Sequence, residues 1–135
     1  MGEETPIDFV KDETELRGMY GEISDLAAKK AIPSLEPHSK RFIELSPFLC
    51  IASAEPKGPA DISPRGDAPG FVTVLDDYTL LIPDRIGNNR LDTFANITKN
   101  PYIGLIFLVP GMNETLRING RARICFDKEI LANFE

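Results

Sequence analysis

The sequence has few of the residues that build metal and redox sites. It contains no tryptophan, a single histidine (His38) and two cysteines (Cys50 and Cys125) that form no Cys-x-x-Cys pair. A metal or redox centre made of cysteine and histidine is therefore disfavoured, and we expect no bound metal. Each cysteine lies in an apolar, strand-like run, which predicts a buried, reduced thiol. His38 stands in a polar stretch and is expected to face solvent.

Long apolar runs and an excess of basic residues are also lacking. No stretch approaches the ~20 apolar residues of a membrane span, and the acidic start Met1-Gly2-Glu3-Glu4 does not resemble a secretory signal. The net charge is −6 at pH 7, and this sign repels a nucleic-acid backbone. We therefore predict a cytoplasmic protein that binds neither membranes nor nucleic acids.

Glycine-rich phosphate loops are missing as well. The sequence has neither Gly-x-Gly-x-x-Gly nor a Gly-Lys-Ser/Thr loop, so a nucleotide phosphate would have to be held by side chains. Six of the seven basic residues between positions 58 and 124 are arginines. A guanidinium is a planar, permanently charged fork that suits phosphate or carboxylate, so this segment is predicted to hold an anion site. The arginines are Arg65, Arg85, Arg90, Arg117, Arg121 and Arg123.

The chain has the size and composition of a single globular domain, with 135 residues of which 42% are hydrophobic and 27% charged. We divide this domain into an N-terminal helical segment (1–46), a β-barrel part (47–126) and the start of a last helix (127–135). That last helix stops after about two turns, so the domain is expected to be C-terminally incomplete.

Apolar periodicity and turn residues predict two helices and a series of short strands. One helix covers 12–29, with Asp12 and Glu15 as a capping box, and the other covers 88–98. Short antiparallel strands at this spacing favour a mainly β fold with flanking helices, a small antiparallel barrel, over a parallel α/β sheet. The predicted strands are 48–52, expected to be buried on both faces, 60–63, 71–75, 79–82, 102–109 and 115–126.

The last strand has the clearest pattern, because apolar and polar residues alternate over 115–126. One face is apolar, and the other carries Thr115, Arg117 and Arg121. Gly120 interrupts the alternation and is expected to mark a bulge or bend, after which Arg121 and Arg123 face a different surface from Arg65 and Arg90.

Two segments are candidates for the anion site. In 63–67, proline and glycine predict a tight turn that places the Ser63 hydroxyl beside Arg65. The alternative for this segment is a solvated loop with an ion pair between Arg65 and Asp67. The second segment, 83–90, lies between a strand and a helix start. There free backbone amides, two asparagines and two arginines are candidates to converge on an anion, and ordinary helix capping by Asn88 or Asn89 with exposed arginines is the alternative.

Three runs in order, GNNRLD, NPYIGLIF and ETLRINGRARI, carry a family resemblance. Over about residues 40–126 the chain resembles the flavin-binding split β-barrel of the pyridoxamine 5'-phosphate oxidase superfamily. It is most similar to a branch of probable FMN-dependent enzymes marked by SPRGD-x-PGFV and NGRA. The resemblance implies FMN at a homodimer interface, with its phosphate held by Ser63, Arg65, Asn89 and Arg90. It also implies that Thr115 approaches the flavin ring and that Arg117 lies nearby.

The resemblance further implies a flavin-dependent oxidoreductase that uses a small-molecule electron donor and acceptor. Members that oxidise pyridoxamine phosphate carry a histidine-containing basic motif near the C-terminus, and this sequence has none, so that activity is disfavoured. Two alternatives stay open. One is a non-catalytic dimer that binds or stores flavin or another cofactor, and the other is a non-catalytic dimer whose arginines make structural ion pairs.

Overall fold

The computed structural model describes residues 7–20, 34–83 and 91–125, and all structural statements below concern these residues. The chain divides into two compact units, Met1–Pro33 and Ser34–Glu135. The helices are α1 (Glu13–Tyr20), α2 (Pro37–Leu45) and α3 (Leu91–Lys99). The strands are β1 (Phe48–Ala54), β2 (Ala60–Gly66), β3 (Thr73–Asp76), β4 (Thr79–Leu81), β5 (Tyr102–Leu108) and β6 (Thr115–Arg121).

Helix α1 belongs to the first unit and begins as the sequence predicted. The Asp12 carboxylate accepts a hydrogen bond from the backbone N–H of Glu15 at 2.8 Å, which satisfies one of the free amides of the first turn. The Glu15 carboxylate reaches back to the N–H of Lys11 at 3.2 Å. The part of the predicted helix at 21–29 lies outside the described residues.

The second unit contains two antiparallel sheets. The larger has the strand order β2-β1-β5-β6, and β3 and β4 form a separate hairpin across Asp77 and Tyr78. The fold is therefore mainly β with flanking helices, as predicted. Among the described residues the strands form no closed barrel, and their arrangement is consistent with a small split-barrel-like fold.

The core lies on one face of the four-stranded sheet. There Leu49 of β1 and Phe107 of β5 are paired across the strands and fully buried. The opposite face, called the outer face here, is covered by no described element, since Ala52 and Ile62 on it are exposed. In a single chain, the prediction that β1 is buried on both faces is therefore wrong. The buried core residues are Phe42, Ile43, Leu49, Ile51, Val72, Ile97, Leu105 and Phe107.

Helix α2 closes one end of this core. Its Phe42 and Ile43 are buried. Asp77, in the turn between β3 and β4, makes two contacts that join this hairpin to the start of α2. The backbone N–H of Leu35 donates to the Asp77 carbonyl at 2.7 Å, and Lys40 forms an ion pair with the Asp77 carboxylate.

Strand β2 corrects the prediction for 63–67. This segment continues the strand through Gly66 instead of forming a turn or a solvated loop. Pro64 lacks an N–H donor, but β2 is at the edge of the sheet, where a missing donor is tolerated.

Strand β6 confirms the predicted alternation and corrects the role of Gly120. Leu116 and Ile118 pack against the core, whereas Thr115 and Arg117 are exposed. The pairing with β5 stays in register through Gly120, so the expected bulge is absent from this strand.

Candidate functional site

A layer of polar side chains is buried between α3 and the edge of the sheet formed by β1 and β2. Thr93 is 1% exposed and Asn96 is 7% exposed on the helix, and they lie over Ser53, Ser63 and Arg65 of the sheet, which are buried as well. Such a layer is unusual because helix faces that cover a sheet are normally apolar.

The local sequence explains how these side chains meet. Strand residues alternate between faces, and Ser63 and Arg65 pair with Ile51 and Leu49, so both side chains lie on the core side of β2. On α3, Thr93 and Asn96 are three residues apart and therefore share one helix face.

Two hydrogen bonds join the helix to the sheet within this layer. The Asn96 amide donates to the Ser53 hydroxyl at 3.1 Å, and both groups are buried. The Thr93 hydroxyl donates to the carboxylate of Asp61 at 3.5 Å, which is the long end of hydrogen-bond range. These contacts fix the position of α3 over β1 and β2.

Arg65 is the charged member of the layer. It is only 7% exposed, and its guanidinium carbon lies over the ring of Phe94, 5.7 Å from the ring centre. This distance is within the range of an attractive cation–π contact. A buried guanidinium beside a buried serine hydroxyl offers several hydrogen-bond donors and a permanent positive charge, which is the donor set that phosphate requires.

The second predicted group lies elsewhere. Thr115 and Arg117 are exposed on the outer face of β6, at the opposite edge of the sheet from β2. The cross-strand register runs from Arg65 through Leu49 and Phe107 to Leu116. Arg65 is therefore level with Thr115 and Arg117 along the strands. One chain therefore presents the two groups on opposite faces and does not bring them together.

A shallow groove of about 590 Å³ crosses the outer face. Its lining includes the small residues Ala52 and Gly104, and the guanidinium of Arg121 lies over the Tyr102 ring, 5.8 Å from the ring centre. Arg121 shares this face with Arg117, because β6 is regular through Gly120. Arg121 thus faces a different surface from the buried Arg65, as predicted, but a bend at Gly120 is not the cause.

The remaining predicted residues divide into those described and those not described. Asn89 and Arg90 lie outside the described residues, and they directly precede Leu91, the first residue of α3. His38 faces solvent as expected, with its Nε2 3.3 Å from the Glu114 carboxylate. Of the two free cysteines, Cys50 is half-buried and Cys125 is exposed, so burial of both was a wrong expectation.

Sequence reasoning missed Ser53, Thr93, Asn96 and Phe94. The signal that would have found Thr93 and Asn96 is their polar character on the helix face that also holds the buried Ile97.

A family model, pyridoxamine 5'-phosphate oxidase, matches residues 35–135. The chain belongs to this family. Within the pyridoxamine 5'-phosphate oxidase family, members commonly bind FMN and are often dimers. The family match starts one residue after the second compact unit begins, and it includes α2, α3 and the six described strands. The resemblance seen in the sequence motifs is thus confirmed.

No curated protein and no solved structure matches this member of the pyridoxamine 5'-phosphate oxidase family significantly. In the part of the chain that the structure describes, every helix falls short of the length and apolar character needed to cross a membrane.

Proposed function

We propose that the protein binds FMN between two copies of the chain and acts as an FMN-dependent oxidoreductase. The observation that carries this proposal is the buried pair of Ser63 and Arg65 on β2, in a chain of a family whose members commonly bind FMN.

The residues present suit an FMN phosphate. Arg65 supplies a permanent cation in surroundings that exclude water, where charge-assisted hydrogen bonds are strong, and Ser63 adds a hydroxyl donor. Asn89 and Arg90 immediately precede α3, which packs on β1 and β2. We assign them to the same phosphate as further donors.

The flavin ring requires a second copy of the chain. In one chain, β2 and β6 are three strand spacings apart, about 14 Å, and the candidate residues lie on opposite faces. An FMN whose phosphate binds Arg65 would therefore meet Thr115 and Arg117 of the other chain. Arg117 would then stabilise the negative charge that the ring takes up on reduction.

The outer face supports this homodimer independently. Ile62 is 70% exposed and Tyr102 65% exposed on it, and Leu108 is also solvent-accessible. A sheet face with exposed apolar side chains favours burial against a partner, and identical chains most often pair about a twofold axis.

FMN supplies transfer of a hydride or of single electrons between a small-molecule donor and an acceptor when it is bound. The chain supplies binding, orientation and charge around it. The proposed contacts assign no catalytic residue of the chain itself.

A flavin titration tests this function. We expect the protein to quench FMN fluorescence on binding, to bind FMN more tightly than riboflavin, which lacks the phosphate, and to scatter light as a dimer. Arg65→Ala is expected to lower FMN affinity about tenfold or more, since a charge-assisted hydrogen bond contributes about 1.5–3 kcal/mol. Arg41→Ala is the matched control, because Arg41 is an exposed arginine that pairs with Glu44 on α2.

The same titration can reject the proposal. Equal affinity for FMN and riboflavin would contradict the proposed phosphate site. A monomer that binds FMN tightly would contradict a site shared between two chains. Bound FMN that no reductant can reduce would favour a storage or binding role over an oxidoreductase.

A further inference from the structure

We propose that Phe94, held in place by Asn96, is a positioning residue that sets the preference of the site for a phosphate-bearing flavin over an uncharged one. It acts through Arg65 and does not touch the flavin. This inference rests on the proposed function, because it assumes that Arg65 binds the FMN phosphate.

The geometry gives Phe94 this role. The ring lies 5.7 Å from the guanidinium carbon of Arg65, on the helix that covers β2. The N–H donors of a guanidinium lie in its own plane. An aromatic ring beside the guanidinium carbon limits how this plane can rotate, and so helps to orient the donors toward an anion.

Asn96 holds the ring at this position. It follows Phe94 by two residues, and its amide donates to the Ser53 hydroxyl at 3.1 Å, with both residues less than a tenth exposed. A buried amide–hydroxyl pair gives directional contact that an apolar pair lacks, so it specifies the position of α3 over the sheet. The Thr93 hydroxyl near Asp61 adds a second, longer contact.

The composition of this helix face favours a functional origin. A purely apolar contact would satisfy the requirements of packing, as Ile97 does on the same helix. Polar residues that replace apolar ones in a buried layer add little net stability, and such departures from apolar packing concentrate at functional sites. Because Arg65 belongs to this buried polar layer, the role that we assign to the layer is to keep the Arg65 guanidinium oriented.

The test compares two affinities of the protein, those for FMN and for riboflavin. Damage to the fold lowers both affinities, whereas misplacement of Arg65 lowers only the affinity for FMN. The informative quantity is therefore their ratio, measured by fluorescence quenching. In Phe94→Leu, which keeps an apolar side chain and removes the ring, we expect the ratio to fall about threefold to tenfold. Phe94→Tyr keeps the ring and is expected to preserve the ratio.

A second variant, Asn96→Leu, tests the same role in case Phe94→Leu does not fold. Asn96→Leu keeps the size of the side chain and removes its hydrogen bond to Ser53. We expect it to fold and to lower the FMN-to-riboflavin ratio as well, with little loss of riboflavin affinity. Thermal unfolding of each variant without flavin shows whether the fold is intact.

The outcomes separate this inference from the proposed function. A wild-type protein without preference for FMN overturns both. A wild-type preference that Arg65→Ala abolishes, together with an unchanged ratio in Phe94→Leu and Asn96→Leu, overturns the positioning role alone. An equal loss of both affinities in these variants would make Phe94 and Asn96 purely structural and would also overturn it.

Discussion

The hydroxyl of Ser46 donates a hydrogen bond to the carbonyl oxygen of Leu108 at 2.7 Å, so the C-cap residue of α2 is bonded to the last residue of β5. Ser46 is 1% exposed, and its hydroxyl also accepts the N–H of Phe48 at 3.3 Å. One buried hydroxyl thus connects a helix end to two neighbouring strands.

Removing that hydroxyl tests how much it stabilises the fold. Ser46→Ala is expected to lower the free energy of unfolding by about 1–3 kcal/mol, because it leaves buried backbone groups without their partner. Urea unfolding followed by circular dichroism measures the loss. Ser39→Ala on the same helix is the control, since no hydrogen bond joins its side chain to another described residue. Equal losses in the two variants would contradict the assignment.

Glycine substitutions separate backbone strain from steric contact. Gly70 has φ +80°, and a Cβ atom there would lie 3.1 Å from the Glu44 carbonyl oxygen, whereas Gly111 has φ +85° and open space around it. We expect alanine to cost about 1–2 kcal/mol at Gly111 from the left-handed backbone alone, and more at Gly70. Gly120→Ala has neither problem and should change little. Thermal melts that ranked the three variants otherwise would contradict this reading.

The turn between β3 and β4 gives a pH dependence. The backbone N–H of Tyr78 donates to the Asp76 carboxylate at 2.8 Å, and this bond, with the Thr79 hydroxyl, holds the pKa of Asp76 below its usual range. A carboxylate with a depressed folded-state pKa contributes stability above the unfolded pKa, and this contribution is lost as the pH falls below about 4.

Asp76→Asn tests this dependence, because the amide oxygen can still accept the Tyr78 bond but does not titrate. We expect the stability of this variant to fall less steeply than that of the wild type between about pH 4 and pH 2. Chemical denaturation at several pH values measures both curves. Parallel curves would show that Asp76 does not contribute to acid sensitivity.

The alternation of apolar and polar residues predicted those parts of the fold that depend on a single segment of the chain. In β6 the apolar row had to face the core, so Thr115 and Arg117 were assigned to the exposed side from sequence alone. The second face of β1 was not predictable in this way. Its exposure depends on whether another element covers the sheet, which no local pattern of β1 records.

The candidate site was only half predictable for a related reason. Ser63 and Arg65 were identified, but proline and glycine around them indicated a turn, and only the edge position of β2 explains how Pro64 fits in a strand. The contact between Arg65 and Phe94 joins segments 29 residues apart, and it depends on how α3 packs on the sheet. Such a tertiary contact leaves no signal in either segment.

The proposed flavin site between two chains makes a prediction about mixed dimers. If each FMN takes Arg65 from one chain and Arg117 from the other, then Arg65→Ala and Arg117→Ala each damage both sites of their homodimers. In a heterodimer of the two variants, one site carries both substitutions and the other carries neither. Co-expression with two different affinity tags isolates this heterodimer. We expect it to bind about one FMN per two chains with wild-type affinity.

The control pairs two variants of the same group. In a heterodimer of Arg65→Ala and Ser63→Ala, each site lacks one phosphate donor, because Ser63 and Arg65 lie together on β2 of one chain. No site is intact, so FMN binding should stay weak. If instead one chain supplied both Arg65 and Arg117 to the same flavin, neither heterodimer would recover binding. We expect FMN binding to recover in the first heterodimer and not in the second, because Arg65 and Arg117 lie on opposite faces of the sheet in one chain.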